Sequence, residues 1–186
     1  PILQRLGLPC TFFVATGFLN GGRMWNDTVI EAFRRTTRES LALDDLVPGL
    51  GDVACRTRDE RRRAIDLTID RIKYLDFDER ARCVVQIAQR AGAGLPDDLM
   101  MTHQQLRAMR DAGMQIGAHT ATHPILARLD DAQARREICE GRDELQSILG
   151  VPVRLFAYPN GRPGEDYVRS TVELVREAGF DAAVST

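Results

Sequence analysis

Residues 114–124 read MQIGAHTATHP, and the interpretation of the whole chain begins with this stretch. Its first half alternates larger apolar residues with Gln and Gly, and this period of two predicts a β-strand. It then presents His119 and His123, four positions apart, and stops at Pro124. Neutral imidazole is the commonest metal ligand in proteins, and a single turn between the two residues would place both rings on one side. The pattern predicts a metal site where a strand ends; two exposed histidines are the alternative.

The composition bounds the function. The chain has 186 residues, of which 44% are hydrophobic and 28% charged, and these are ordinary values for one soluble domain with a sizeable core. A net charge of −2 gives no basis for binding nucleic acid or an anionic membrane surface. No run approaches the roughly 20 apolar residues that a membrane span needs. The four cysteines form no CxxC pair, so neither a cysteine zinc site nor a disulfide framework is predicted.

Apolar runs alternate with amphipathic helical patterns along most of the chain. Strands are predicted at 9–15, 114–118, 153–157 and 180–185, with connections long enough for parallel pairing in an open sheet or a barrel. In such a sheet the segments that follow the strands share one edge, and these are residues 16–25, 119–123, 158–164 and 185–186. Chemistry is therefore predicted at that edge.

Two consecutive helical patterns interrupt this alternation. They lie within residues 36–98, which we predict to be a helical insertion in a single domain spanning 1–186. Arg61, Arg62 and Arg63 in this region are predicted to be a solvated charge run rather than a binding patch.

Two further features bear on a site. Trp25, the only tryptophan, is a core or rim aromatic or a flat platform for a sugar ring. Residues 158–164, YPNGRPG, form a loop dense in turn-forming residues, either a plain turn or a stiff support for backbone N–H groups that stabilise an oxyanion.

Several segments resemble the NodB-homology polysaccharide deacetylases, carbohydrate esterase family 4. Residues 119–124, HTATHP, match the family's H-[ST]-x-x-H-P metal motif. Residues 7–14, GLPCTFFV, resemble its second strand; residues 106–119, LRAMRDAGMQIGAH, resemble its approach to the metal; and residues 156–161, FAYPNG, resemble its third motif. The resemblance covers nearly the whole chain except the helical insertion.

The resemblance implies an α/β fold, a distorted (β/α) barrel of about seven strands that is only partial here. It implies a metal-dependent hydrolase that removes N-acetyl groups from N-acetylglucosamine-type polysaccharides, so the expected partner is an N-acetylated glycan or oligosaccharide. His119 and His123 would be two ligands of a divalent metal, zinc in the first place, beside an Asp. The backbone N–H of Asn160 would donate to the oxyanion, and Trp25, Tyr158 and Pro159 would bind substrate.

The chain also departs from the family pattern. The T-F-D-D-G motif, which carries the base and the Asp ligand, would lie upstream of Pro1, and the acid His would lie beyond Thr186. Ala157 and Asn160 stand where many members have the Arg and Tyr of R-x-P-Y. We therefore expect this segment to be incomplete for catalysis and, with two protein ligands, to bind metal weakly.

Three other functions stay open at this point: a non-catalytic carbohydrate-binding module on the same scaffold, a hydrolase of cyclic amides or imides, and a structural domain without a ligand. The sequence does not specify the glycan, the metal or the oligomeric state. A bacterial cytoplasm and a bacterial cell envelope are both compatible with it.

Overall fold

The computed structural model describes residues 2–186, which form two compact units. The sheet unit comprises the described residues up to Gly22 together with Met100–Thr186, and the helical unit comprises Arg23–Leu99. The helical unit begins upstream of the predicted insertion at 36–98, because the helix before residue 36 packs on the helices that follow it. The assignment of the chain to a single domain stays a prediction.

The elements are numbered in chain order. The strands are β1 (Thr11–Val14), β2 (Ser40–Ala42), β3 (Asp52–Ala54), β4 (Gln115–Ala118), β5 (Leu155–Ala157) and β6 (Ala182–Val184). The helices are α1 (Ile2–Arg5), α2 (Trp25–Arg35), α3 (Arg58–Ile72), α4 (Phe77–Ala91), α5 (His103–Asp111), α6 (Asp131–Leu149) and α7 (Arg169–Glu177). Short 3₁₀ turns lie at Thr16–Phe18 and Leu126–Arg128.

The sheet unit is built on four parallel strands in the order β1-β4-β5-β6. The register pairs Val14 with Ala118, Ala118 with Phe156, and Ala157 with Val184. The residues that follow these strands therefore meet at one edge of the sheet. The predicted α/β architecture with a parallel sheet is confirmed.

Helix α6 covers this sheet through the apolar stripe that the sequence predicts. The residues of the stripe are all buried: Ala134, Ile138, Gly141, Leu145 and Leu149. The helix starts where the Asp130 carboxylate accepts the Gln133 N–H at 2.7 Å, and it ends at Gly150 with φ 70°. Side-chain capping and a left-handed glycine are the usual ends of a helix, so local sequence sets the length of α6.

The helical unit packs α2, α3 and α4 together with the antiparallel pair β2–β3. Its core includes Phe33, Leu41, Leu43, Ile72 and Ile87, each with at most 2% of its surface exposed. Two free cysteines lie in this core: Cys55 has no exposed surface and Cys83 has 7%. These apolar contacts make the segment more than a surface loop.

A shallow groove of about 220 Å³ lies at the opposite end of the sheet, where β4 and β5 begin. Its two arginines are paired, because Arg110 contacts Asp111 and Arg154 contacts Asp181. None of the described helices is long and apolar enough to cross a membrane.

Candidate functional site

The loops after the parallel strands contact one another at the carboxyl edge of the sheet. The Gly17 N–H, after β1, donates to the Ala121 carbonyl at 2.9 Å, after β4. The Thr186 N–H, after β6, donates to the Gly161 carbonyl at 3.1 Å, after β5. This edge therefore brings together the segments that the sequence singles out within the sheet unit.

His119 is the residue directly after β4, and its ring is held by β5. Its backbone N–H donates to the Val14 carbonyl at 3.2 Å, while its Nδ1 atom lies 2.7 Å from the Ala157 carbonyl oxygen. Burial lowers the pKa of His119, and the hydrogen bond to Ala157 opposes this effect. The ring is therefore neutral at neutral pH, which is the form that binds a metal.

His123 lies beside the first imidazole. The two ring centroids are 4.6 Å apart and the ring planes are inclined at 69°, an edge-to-face arrangement. His123 has φ 57°, in the left-handed region that non-glycine residues seldom adopt. We refer to residues 119–123 as the histidine turn.

Thr120 shapes the histidine turn from inside. It has φ 65°, which is strained for a β-branched residue, and it has no exposed surface. Its hydroxyl donates to the His119 carbonyl at 2.5 Å and accepts the His123 N–H at 3.0 Å. Backbone strain of this kind costs on the order of 1–3 kcal/mol per residue and is concentrated at functional sites.

Glu137 of α6 holds the same turn from outside. Its Oε2 atom accepts the N–H of Ala121 at 3.0 Å and the N–H of Thr122 at 2.8 Å, and its Oε1 atom accepts the Thr122 hydroxyl at 2.7 Å. Sequence reasoning missed Glu137. Its place three positions C-terminal to Ala134, beside the buried stripe of α6, was the available signal that it faces the sheet rather than water.

Asn160 lies in the loop after β5 in a tight turn. The Gly161 N–H donates to the Pro159 carbonyl at 2.8 Å, so the turn closes around Asn160, which has φ 61°. Such three-residue turns with positive φ are rare. The Asn160 N–H donates to no protein group among residues 2–186, as an oxyanion donor requires.

Tyr158 and Pro159, predicted to bind substrate, are both buried. The Tyr158 ring stacks on Tyr167 at a centroid distance of 3.9 Å and meets Phe156 edge-on at 5.2 Å. Burial, and secondarily Tyr167, raises the pKa of Tyr158. These contacts account for the Tyr158 side chain as a support of the loop, and a contact of Tyr158 or Pro159 with substrate stays a prediction.

Trp25 lies in the helical unit, at the first position of α2. Its ring centroid is 5.2 Å from the guanidinium of Arg80, which is 9% exposed, and burial lowers the pKa of that guanidinium. Trp25 also packs against the core of its own unit. Its role as a sugar platform stays a prediction.

The histidine pair suits two positions of a metal site. Two imidazoles bound to one zinc ion at about 2.0–2.1 Å in tetrahedral geometry would have ring centres about 5 Å apart, close to the 4.6 Å found. The Ala157 carbonyl fixes Nδ1 of His119 as the protonated atom, so Nε2 carries the lone pair. Within residues 2–186, however, no third His, Cys, Asp or Glu joins the pair in a group that could hold an ion.

The family profile described as polysaccharide deacetylase matches residues 60–183. The chain belongs to the polysaccharide deacetylase family. Ala157, which stands where many members have Arg, contributes its backbone carbonyl to the site.

The chain is partly similar to several solved structures. A Streptococcus pyogenes deacetylase in complex with acetate is 22% identical, with 56% of this chain and 50% of that chain covered and a TM-score of 0.45. A Bacillus cereus polysaccharide deacetylase is 24% identical, with 48% and 27% covered and a TM-score of 0.42. A Bacillus anthracis pseudoenzyme of carbohydrate esterase family 4 is 20% identical, with 44% and 28% covered and a TM-score of 0.40.

A curated relative of another kind is chaperonin GroEL 3 of Frankia casuarinae, 29% identical over 103 residues, or 54% of this chain. The chain spans 19% of the length of that relative and 50% of the length of the Streptococcus deacetylase.

Proposed function

We propose that this polysaccharide deacetylase domain serves a metal-dependent hydrolase that removes N-acetyl groups from N-acetylglucosamine-type polysaccharides. The observation that carries the proposal is the pair of imidazoles 4.6 Å apart at the carboxyl edge, one of them fixed by a carbonyl on Nδ1. His119 and His123 would hold a divalent ion, zinc or another. Such an ion supplies a Lewis acid for an acetyl carbonyl and lowers the pKa of water.

Amide hydrolysis defines what the remaining residues must do. The oxygen of water bonds to the acetyl carbon, the carbon–nitrogen bond breaks, and acetate and a free amine are released. Negative charge develops on the carbonyl oxygen in between. The Asn160 N–H, which donates to no group among residues 2–186, would be a donor to this oxygen.

The test is acetate release from N-acetylglucosamine oligomers by the full-length protein that contains these residues, loaded with zinc. We expect release that is lost in His119→Ala and in His123→Ala, with Glu140→Ala, an exposed change on α6, as the control. Glycan binding without acetate release would support the binding module instead. Release from cyclic imides alone would support the other hydrolase.

A further inference from the structure

We propose that Glu137 is the positioning residue that holds the histidine turn in its metal-binding shape. The inference rests on the proposed function, because it concerns how the two imidazoles of that site are kept together. Glu137 binds the backbone of the residues that lie between the two histidines.

The contacts are specific to the segment that separates the two histidines. One carboxylate oxygen accepts the consecutive N–H groups of Ala121 and Thr122, and the other accepts the Thr122 hydroxyl. Hydrogen bonds to an ionised carboxylate are shorter and roughly twice as strong as neutral ones. Both N–H groups are thus tied to a rigid helix rather than left to water.

The turn needs such support because its backbone is strained on both sides of these two residues. Thr120 precedes them with φ 65° and His123 follows them with φ 57°. The Thr120 hydroxyl bridges the turn, and Gly17 binds the Ala121 carbonyl, but neither contact takes the N–H groups of Ala121 and Thr122. The Ala121 N–H also donates to the Glu137 backbone carbonyl at 3.0 Å, which a substitution keeps, whereas the Thr122 N–H and hydroxyl both donate to the Glu137 carboxylate. Without that carboxylate the Thr122 groups lose this acceptor, and the left-handed residues on either side can relax towards ordinary φ values.

Relaxation at His123 would carry its ring away from His119. The imidazole of His119 is fixed independently by the Ala157 carbonyl, so a shift of the turn at His123 changes the distance between the rings. Residues that orient metal ligands from behind typically contribute 10–100-fold to metal affinity. Glu137 is expected to act in this range.

The experiment compares Glu137→Ala and Glu137→Gln with Glu140→Ala, an exposed change on the same helix. The first readout is the nuclear Overhauser contact between the ring protons of His119 and His123 in the metal-free chain. The second is the zinc dissociation constant from calorimetry. We expect Glu137→Ala to lose the ring contact and to weaken zinc binding about tenfold or more.

Glu137→Gln is expected to keep the ring contact, because an amide oxygen accepts the same N–H groups and its NH₂ can donate to the Thr122 hydroxyl. An unchanged ring contact in folded Glu137→Ala would overturn the proposal. Should that variant not fold, Glu137→Asp decides in the same way, since its side chain is one methylene shorter. If the full-length protein bound no zinc, the proposed function would fail, while the ring contact would still test the role of Glu137.

Discussion

The Nδ1 atom of His119 lies 2.7 Å from the carbonyl oxygen of Ala157. A carbonyl only accepts hydrogen bonds, so Nδ1 must carry the proton when the ring is neutral. We expect nitrogen-15 correlation spectra to show His119 as a single Nδ1–H tautomer. His103, whose ring makes no hydrogen bond in the described structure, is the internal reference. A proton on Nε2 of His119 would remove the lone pair that the metal site requires.

Replacing Gly141 by alanine is predicted to destabilise the fold. Alanine usually stabilises a helix interior by about 0.5–1 kcal/mol relative to glycine. A β-carbon here, however, would lie 2.6 Å from the carbonyl carbon and oxygen of Thr120. These are backbone atoms of the histidine turn, so we expect Gly141→Ala to lower the free energy of unfolding by about 1–3 kcal/mol in urea titration. Ser147→Ala, on the exposed side of α6, is the control and should not lower the free energy of unfolding. Equal stability of the two variants would contradict the packing described.

Arg61 is predicted to contribute to the stability of the fold, whereas Arg62 and Arg63 are not. Its guanidinium donates to three backbone carbonyls, those of Cys55 at 2.8 Å, Arg34 at 2.6 Å and Thr36 at 3.0 Å. We expect Arg61→Met to cost about 2 kcal/mol or more of unfolding free energy, because three carbonyls lose a charged donor. Arg62→Met and Arg63→Met, both exposed, are the controls and should stay within about 0.5 kcal/mol. A similar loss in all three would indicate a general charge effect.

Glu31 is predicted to make the stability of the helical unit depend on pH. It is 7% exposed and accepts from Arg35 Nε at 2.7 Å and from Arg34 Nη1 at 3.1 Å. The hydrogen bond from Arg35, above all, lowers the pKa of Glu31 below its ordinary 4.5. A lowered folded-state pKa gives stabilisation that is complete above the ordinary value and is lost as the pH falls through the folded value.

Thermal melts of Glu31→Gln should therefore show a loss of about 1 kcal/mol at neutral pH that vanishes in strongly acid solution. Asp70→Asn, an exposed change in the same unit, is the matched control. A loss that stayed constant across the acid range would mean that Glu31 acts through packing rather than charge.

Features encoded in neighbouring residues could be predicted from the sequence. The alternation before His119, the stripe of α6 and the capping residue Asp130 each act within a few positions, and the structure confirms them. The edge of the sheet that carries the histidines followed from parallel pairing.

Features that depend on distant partners could not be predicted. Arg61 and Arg62 are the same residue type in the same run, and only the position of the carbonyls at the end of α2 and after β3 distinguishes them. Glu137 likewise resembles any other charged helix residue until Thr122 is placed against it. The positive φ of Thr120 opposes the intrinsic preference of a β-branched residue, so no local rule indicates it.

The buried thiol of Cys55 can be used to detect transient opening of the helical unit. It has no surface open to solvent, and burial raises its pKa, so an alkylating reagent can reach a reactive thiolate only during a transient opening. Cys10 and Cys139 of the sheet unit are partly accessible, so their alkylation rates show how fast a thiol reacts without any opening of the structure. The labelling half-life of Cys55 therefore measures how often the interior of the helical unit is breached under native conditions.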